Sequence, residues 1–101
     1  MNIAKLMKQA QQMQAQAQKI QADLAAKEYQ GTSGGGAVSA TASGDGQLLK
    51  LKIDPAILKD GDAEIVEDLV LSAVRDALEQ GRKDAASEMG KLTGGLGLPG
   101  F

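Results

Sequence analysis

The chain has 101 residues, with no cysteine, histidine or tryptophan, one tyrosine and one phenylalanine, and 11 basic against 13 acidic side chains. That length gives one domain, and the shortage of aromatics leaves a thin core of Ala, Leu, Ile, Val and Met. Without Cys or His there is no disulfide framework, no thiol nucleophile, no imidazole base and no zinc ligand other than a carboxylate, so neither an enzyme nor a cofactor is expected.

Ile3, Leu6, Ala10, Met13, Ala17, Ile20 and Leu24 follow one another at alternating spacings of three and four, a heptad seam without Gly or Pro inside it. The spacing predicts one helix from residue 3 to about 27, with a narrow seam suited to packing against another helix. Lys5, Lys8 and Lys19 fall away from that seam, among seven glutamines in residues 7–24. Glu28 to Ser33 reads as a short strand that runs into a turn at Gly34, Gly35 and Gly36.

Val38, Ala40 and Ala42 then alternate with Ser39, Thr41 and Ser43, and Leu49, Leu51 and Ile53 alternate with Lys50 and Lys52. A two-residue turn at Asp45-Gly46 sets Ala42 opposite Leu49, Ala40 opposite Leu51 and Val38 opposite Ile53, which predicts a hairpin. Leu48 falls on the polar face of that hairpin with no role in a monomer. Asp54 caps a single helical turn opened by Pro55. A second helix is expected over 62–90, capped by Asp62, with Glu64, Glu67 and Asp68 at the positive end of its dipole. Its stripe of Ile65, Val66, Leu69, Val70, Ala73, Val74, Ala77 and Leu78 is wide enough to lie on a sheet, and Gly81 weakens its middle.

The expected architecture is α+β: a long N-terminal helix, a three-stranded antiparallel sheet, a short helical turn, a long C-terminal helix and a flexible glycine-rich tail. Residues 1–93 form one domain, divided into a helical arm (1–27), sheet (28–53), turn (54–60) and second helix (62–90), with 94–101 a mobile tail. A sheet this small leaves open edges, and pairing with a second copy across a two-fold covers them, so a homodimer is expected. No apolar run approaches the roughly 18 residues of a membrane span, and the N-terminus lacks a signal-peptide layout. A cytoplasmic protein with no membrane partner and no small-molecule substrate follows as the expectation.

The glycines do not make a phosphate loop, because Leu92 follows Gly90-Lys91 and Ala85 stands where the first glycine belongs. Asp60, Asp62 and Glu64 lack the twelve-residue calcium-loop spacing, and helix capping explains them. Charge is distributed unevenly. Residues 1–27 hold four lysines and one acid, 28–53 balance, and 54–101 hold five basic against ten acidic groups. The local field of the arm is therefore positive in an acidic chain.

Several stretches, namely "LMKQAQQMQ", "GGGAVSATASGDGQLLKLKIDPAIL", "VEDLVLSAVRDAL" and "MGKLTGGLGLPGF", together resemble the YbaB/EbfC family of bacterial nucleoid-associated proteins over essentially the whole chain. The resemblance implies a homodimer whose helices project from paired sheets like tweezer arms, and binding of double-stranded DNA with little sequence preference at the nucleoid. The hairpin departs from the family pattern at Ser39, where relatives often carry a lysine, and the second helix is more acidic than in many relatives. DNA-contacting candidates are Lys5, Lys8 and Lys19 on the arm and Arg82, Lys83 and Lys91 on the second helix. An alternative of another class stays open: a dimeric helical-arm module that binds a protein partner, with weak or no affinity for DNA.

Overall fold

The computed structural model describes residues 2–59 and 61–95. Helix α1 spans Ile3–Ala26 and begins on Asn2, whose Oδ1 accepts the Lys5 amide at 3.2 Å. Strand β1 (Glu28–Ser33) leads into a tight turn at Gly34–Gly36, where φ is 60°, 68° and 96° in succession. Side chains on three consecutive left-handed residues are strongly disfavoured, which accounts for the glycine triplet. Strands β2 (Val38–Ser43) and β3 (Leu48–Ile53) complete an antiparallel sheet of order β1-β2-β3.

The short helix α2 (Pro55–Lys59) starts where Asp54 Oδ1 accepts the Ala56 amide at 3.0 Å. The long helix α3 (Ala63–Gly95) starts on Asp62, which accepts the Glu64 and Ile65 amides at 3.1 and 3.3 Å. The α+β architecture is the expected one. However, α3 continues past Gly90 for another turn and a half, so residues 94 and 95, expected to open the tail, extend the helix instead. Residues 96–101, the rest of that tail, and Asp60 lie outside the described residues.

The hairpin differs in one local respect from the expected two-residue turn. Val38 does pair with Ile53 and Ala40 with Leu51, but Ala42 faces Leu48 rather than Leu49, with a register shift between Thr41 and Ala42. The connection is longer because Ser43 and Gln47 close it: the Ser43 amide donates to Gln47 O at 2.8 Å, and the Gln47 amide donates to Ser43 Oγ at 3.2 Å. Gly44, Asp45 and Gly46 therefore form a three-residue turn with Gly46 in the left-handed region, and the bulge restores the register beyond it. Leu48, which had no place in the simpler hairpin, is the residue the bulge brings opposite Ala42.

Helix α3 lies across the face formed by β1 and β2, and the buried centre is Val38, Ala40, Ala42, Ala73 and Ala77. The small side chains bring backbones close. A Cβ on Gly31 would stand 2.3 Å from Ala73 O, and one on Gly81 would stand 3.2 Å from Ser43 O. Gly81 is thus not a weak point of the helix but a second place where helix and sheet backbones come close. The partly buried Ile53, Ile57, Leu69, Val70, Val74 and Leu78 ring this centre. Among the described residues no fully buried side chain is larger than Val38, so the core is as thin as the composition requires.

The two edges of the sheet are treated differently. Along β1, Gln80 Nε2 donates to Gln30 O at 2.8 Å and the Thr32 amide donates to Asp76 Oδ2 at 3.4 Å, so side chains of α3 close that edge. Among the described residues strand β3 has no such cover, and it exposes Leu48, Leu49 and Leu51. An open edge carrying exposed leucines favours pairing with another strand.

Candidate nucleic-acid interface

Helix α1 leaves the sheet at a defined root. Leu24 is buried at 4% exposure, and its carbonyl accepts the Gly44 amide at 2.9 Å. Gly44 has an ordinary negative φ, so it is glycine for space: a Cβ there would meet Leu24 O at 2.6 Å. Lys27 Nζ reaches Asp84 Oδ2 at 3.2 Å, and the Tyr29 hydroxyl donates to the same oxygen. Desolvation, the hydrogen bond to Asp84 and the nearby negative charge of Asp84 and Glu88 push the Tyr29 phenol up to about 12. The same hydrogen bond from Tyr29, then that from Lys27, holds the Asp84 carboxyl below the usual carboxylate range. One carboxylate thereby ties the end of α1, the start of β1 and the middle of α3. Nothing in the local sequence announces this, because the partners are 55 and 57 residues apart.

Beyond the root, α1 and the last turns of α3 run antiparallel. Leu24 shares a surface depression with Ala85 and Met89, Ile20 borders Glu88, and Leu92 is buried. Met13, Ala17 and Ile20 are half-buried, and Ile20 and Leu24 lie beside α3, so the heptad seam finds a helix partner at its root end. The first half does not: Ile3 and Leu6 are 68% and 49% exposed, and Ala10 is exposed too. The radius of gyration is 19.4 Å, where a compact chain of this length gives about 13 Å, and the extents are 69 × 24 × 16 Å. The arm accounts for that elongation.

Lys5, Lys8 and Lys19 are exposed and, among the described residues, form no ion pair. At about 100° per residue they fall within a sector of about 60°, with Gln12 between them, and span about 21 Å of helix. The fourth lysine of this segment, Lys27, is held by Asp84. The cations of α3 are arranged otherwise. Arg82 is clamped by Glu79 through Nε (3.0 Å) and a terminal nitrogen (2.5 Å), and Lys91 reaches Glu88 at 3.4 Å. This pairing lowers the Glu79 carboxyl and raises the Arg82 guanidinium. Arg82 and Lys91 project on opposite sides of the helix, about 180° apart, and Lys83 is exposed on a third side. The structure groups the three arm lysines and leaves the α3 cations dispersed. No helix among the described residues is long and apolar enough to cross a membrane.

Comparison with known proteins agrees with this architecture. A nucleoid-associated protein of Clostridium novyi is 47% identical over 101 residues, covering 100% of this chain and 89% of the relative. Another from Caldanaerobacter subterraneus is 48% identical over 100 residues, covering 99% and 90%. The crystal structure of an uncharacterized protein from Helicobacter pylori superposes with a TM-score of 0.72 at 25% identity, over 95% of this chain and 97% of that one. The profile of the YbaB/EbfC DNA-binding family matches residues 1–96, and the chain belongs to that family.

Proposed function

We propose that this protein binds double-stranded DNA through the lysine and glutamine face of α1, acting as a cytoplasmic, nucleoid-associated homodimer. The observation that carries this reading is the contrast in pairing: Lys5, Lys8 and Lys19 stand together and unpaired, while Lys27, Arg82 and Lys91 are each held by an acid. Ammonium groups free of local partners are available to phosphates, and glutamine supplies neutral hydrogen bonds without reducing helix propensity. Such contacts position a protein on DNA without reading its sequence, so little sequence preference follows. An influence on nucleoid organisation and gene expression would follow from that occupancy. The open β3 edge and exposed Leu48, Leu49 and Leu51 support pairing of two sheets, with one arm projecting from each copy. Lys83 is exposed on the side of α3 turned away from α1, and Arg82 and Lys91 must first leave their carboxylates.

The salt dependence of binding tests this reading. Six phosphates contacted by two arms give a slope of about −5 in log K against log salt, and Lys8→Gln in both copies flattens it by about 2. A second reading rests on the exposed Ile3, Leu6 and Met7 at the arm tip, which suit a protein partner. If the wild type shows no salt-sensitive binding to DNA, that second reading replaces the first.

A further inference from the structure

The face of the sheet turned away from α3 carries two parallel cross-strand rows. Gln30 pairs with Thr41 and Thr41 with Lys50; Thr32 pairs with Ser39 and Ser39 with Lys52. Each row thus runs amide or hydroxyl, hydroxyl, ammonium, and no apolar side chain interrupts either. Ala40, between Ser39 and Thr41 on β2, points the other way into the core. Both lysines are exposed and, among the described residues, form no ion pair. Of the acids on this face, Glu28 lies on β1, at the far side of the sheet, and Asp54, at the end of β3 beside Lys52 and Ser39, has its Oδ1 engaged by the Ala56 amide at 3.0 Å.

Lysines on an edge strand usually serve to deter unwanted strand pairing. That purpose does not fit here, because the same strand exposes Leu48, Leu49 and Leu51, which invite pairing. The two lysines serve something on the face rather than at the edge. Lysine ammonium groups, serine and threonine hydroxyls and a carboxamide are the side chains that hold the phosphate and sugar oxygens of a nucleic-acid backbone. The surface lacks aromatic groups, so it does not stack unpaired bases.

We infer that this polar sheet face is a second phosphate-binding surface, taking a duplex segment other than the one held by the arm. The two surfaces lie on different elements. Lys8 is sixteen residues, or about 24 Å of helix, from the root at Leu24, Lys19 is five residues, or about 7.5 Å, and Lys50 lies on the sheet beyond that root. A dimer formed through β3 would bring four of these lysines together near the two-fold, with the two Glu28 carboxylates at the far sides of the sheets and the two Asp54 carboxylates at the strand ends. One protein then holds two segments of DNA. The inference rests on the arm reading for the first segment only.

The test immobilises one short duplex, loads it with protein at low salt and adds a second, fluorescent duplex. Wild type should capture the second duplex. Lys50→Gln with Lys52→Gln should keep affinity for a single duplex within about twofold, keep the melting curve, and lose capture by tenfold or more. Lys50→Arg with Lys52→Arg should restore it. Capture by the glutamine variant equal to wild type, or no capture by wild type, overturns the inference. Replacing Lys5, Lys8 and Lys19 by Gln separates the two ideas: undiminished single-duplex affinity in that variant overturns the arm reading, whatever the sheet variant does.

Discussion

The root and the tip of α1 belong to one uninterrupted helix, yet they are held by different physics. At the root, Leu24 is buried, its carbonyl accepts the Gly44 amide, and Asp84 gathers Lys27 and Tyr29. At the tip, every residue from Asn2 to Gln12 is exposed, and the Asn2 cap is the side-chain hydrogen bond that holds it. Isolated helices of about a dozen residues are marginal in water, so the tip is helical because it continues a segment nucleated and packed at the root. A rigid root with a long unpacked extension keeps the lysine stripe straight without covering it. The comparison implies that root substitutions act on folding and tip substitutions act on binding.

The largest separation should come from truncating the seam at its two ends. Leu24→Ala removes a side chain that is 4% exposed and should cost about 3 kcal/mol, within the range for buried leucines. Leu6→Ala, at 49% exposure, should stay within about 0.5 kcal/mol. Urea unfolding followed by circular dichroism reads both. Equal losses would mean that a second copy covers the tip in solution, and the loss at Leu6 would then depend on protein concentration.

A glycine pair sharpens the comparison at smaller scale. Gly44→Ala places a methyl 2.6 Å from Leu24 O, and the backbone must move; overpacking of this kind costs about 2 kcal/mol. Gly46→Ala meets no atom within 4 Å but sits at φ 90°, a backbone strain of about 1 kcal/mol. Hydrogen exchange distinguishes them. The alanine at 44 should raise exchange along α1 between Met13 and Ala26, whereas the alanine at 46 should leave the arm protected and affect the hairpin alone.

Much of this molecule is legible from periodicity and turn chemistry. The heptad spacing gives α1, the alternation gives β2 and β3, and Asp54 and Asp62 mark the starts of α2 and α3, each confirmed by side-chain caps. What escaped was set by tertiary proximity. Gly44 and Gly46 look alike between two strands, yet one is glycine for space and the other for φ, and the helix that makes the difference is twenty residues upstream. Gly81 looks like a flaw in a helix until the sheet beneath it is seen. The end of α3 lies beyond its local signals: Gly90 and the Gly94-Gly95 pair signal termination, while Leu92 is buried and Thr93 donates to Met89 O at 3.3 Å inside the helix. The three arm lysines could be placed from the helical period alone. Their freedom from acids could not, since Lys27 looks the same in sequence and is paired.

The smallest effect concerns the carboxylate at the root, and pH isolates it. In the folded chain the Tyr29 phenol is pushed from 10 to about 12, because ionising it means placing a charge where desolvation disfavours it, giving up the hydrogen bond to Asp84 and adding a charge beside Asp84 and Glu88. A proton held more tightly in the folded state stabilises folding as long as the folded chain keeps it, and the advantage shrinks once the unfolded chain has lost its own and the folded chain must follow. The stabilisation tied to this proton is therefore complete below pH 10 and is lost as pH rises from 10 towards 12. Asp84 behaves in the opposite sense. Its carboxyl is held low by Tyr29 and Lys27, so its contribution is present above the ordinary carboxylate range and fades as pH falls through its lowered value. Tyr29→Phe removes the alkaline dependence and leaves the ring packing, so the difference in Tm between wild type and variant should shrink as pH rises through 10 to 12. At pH 7 the variant should melt a little lower, and by less than Leu24→Ala. A constant difference between the two melting curves across that range would mean that the hydroxyl does not hold Asp84 in solution, and the root would then rest on Leu24, Gly44 and the Lys27–Asp84 pair.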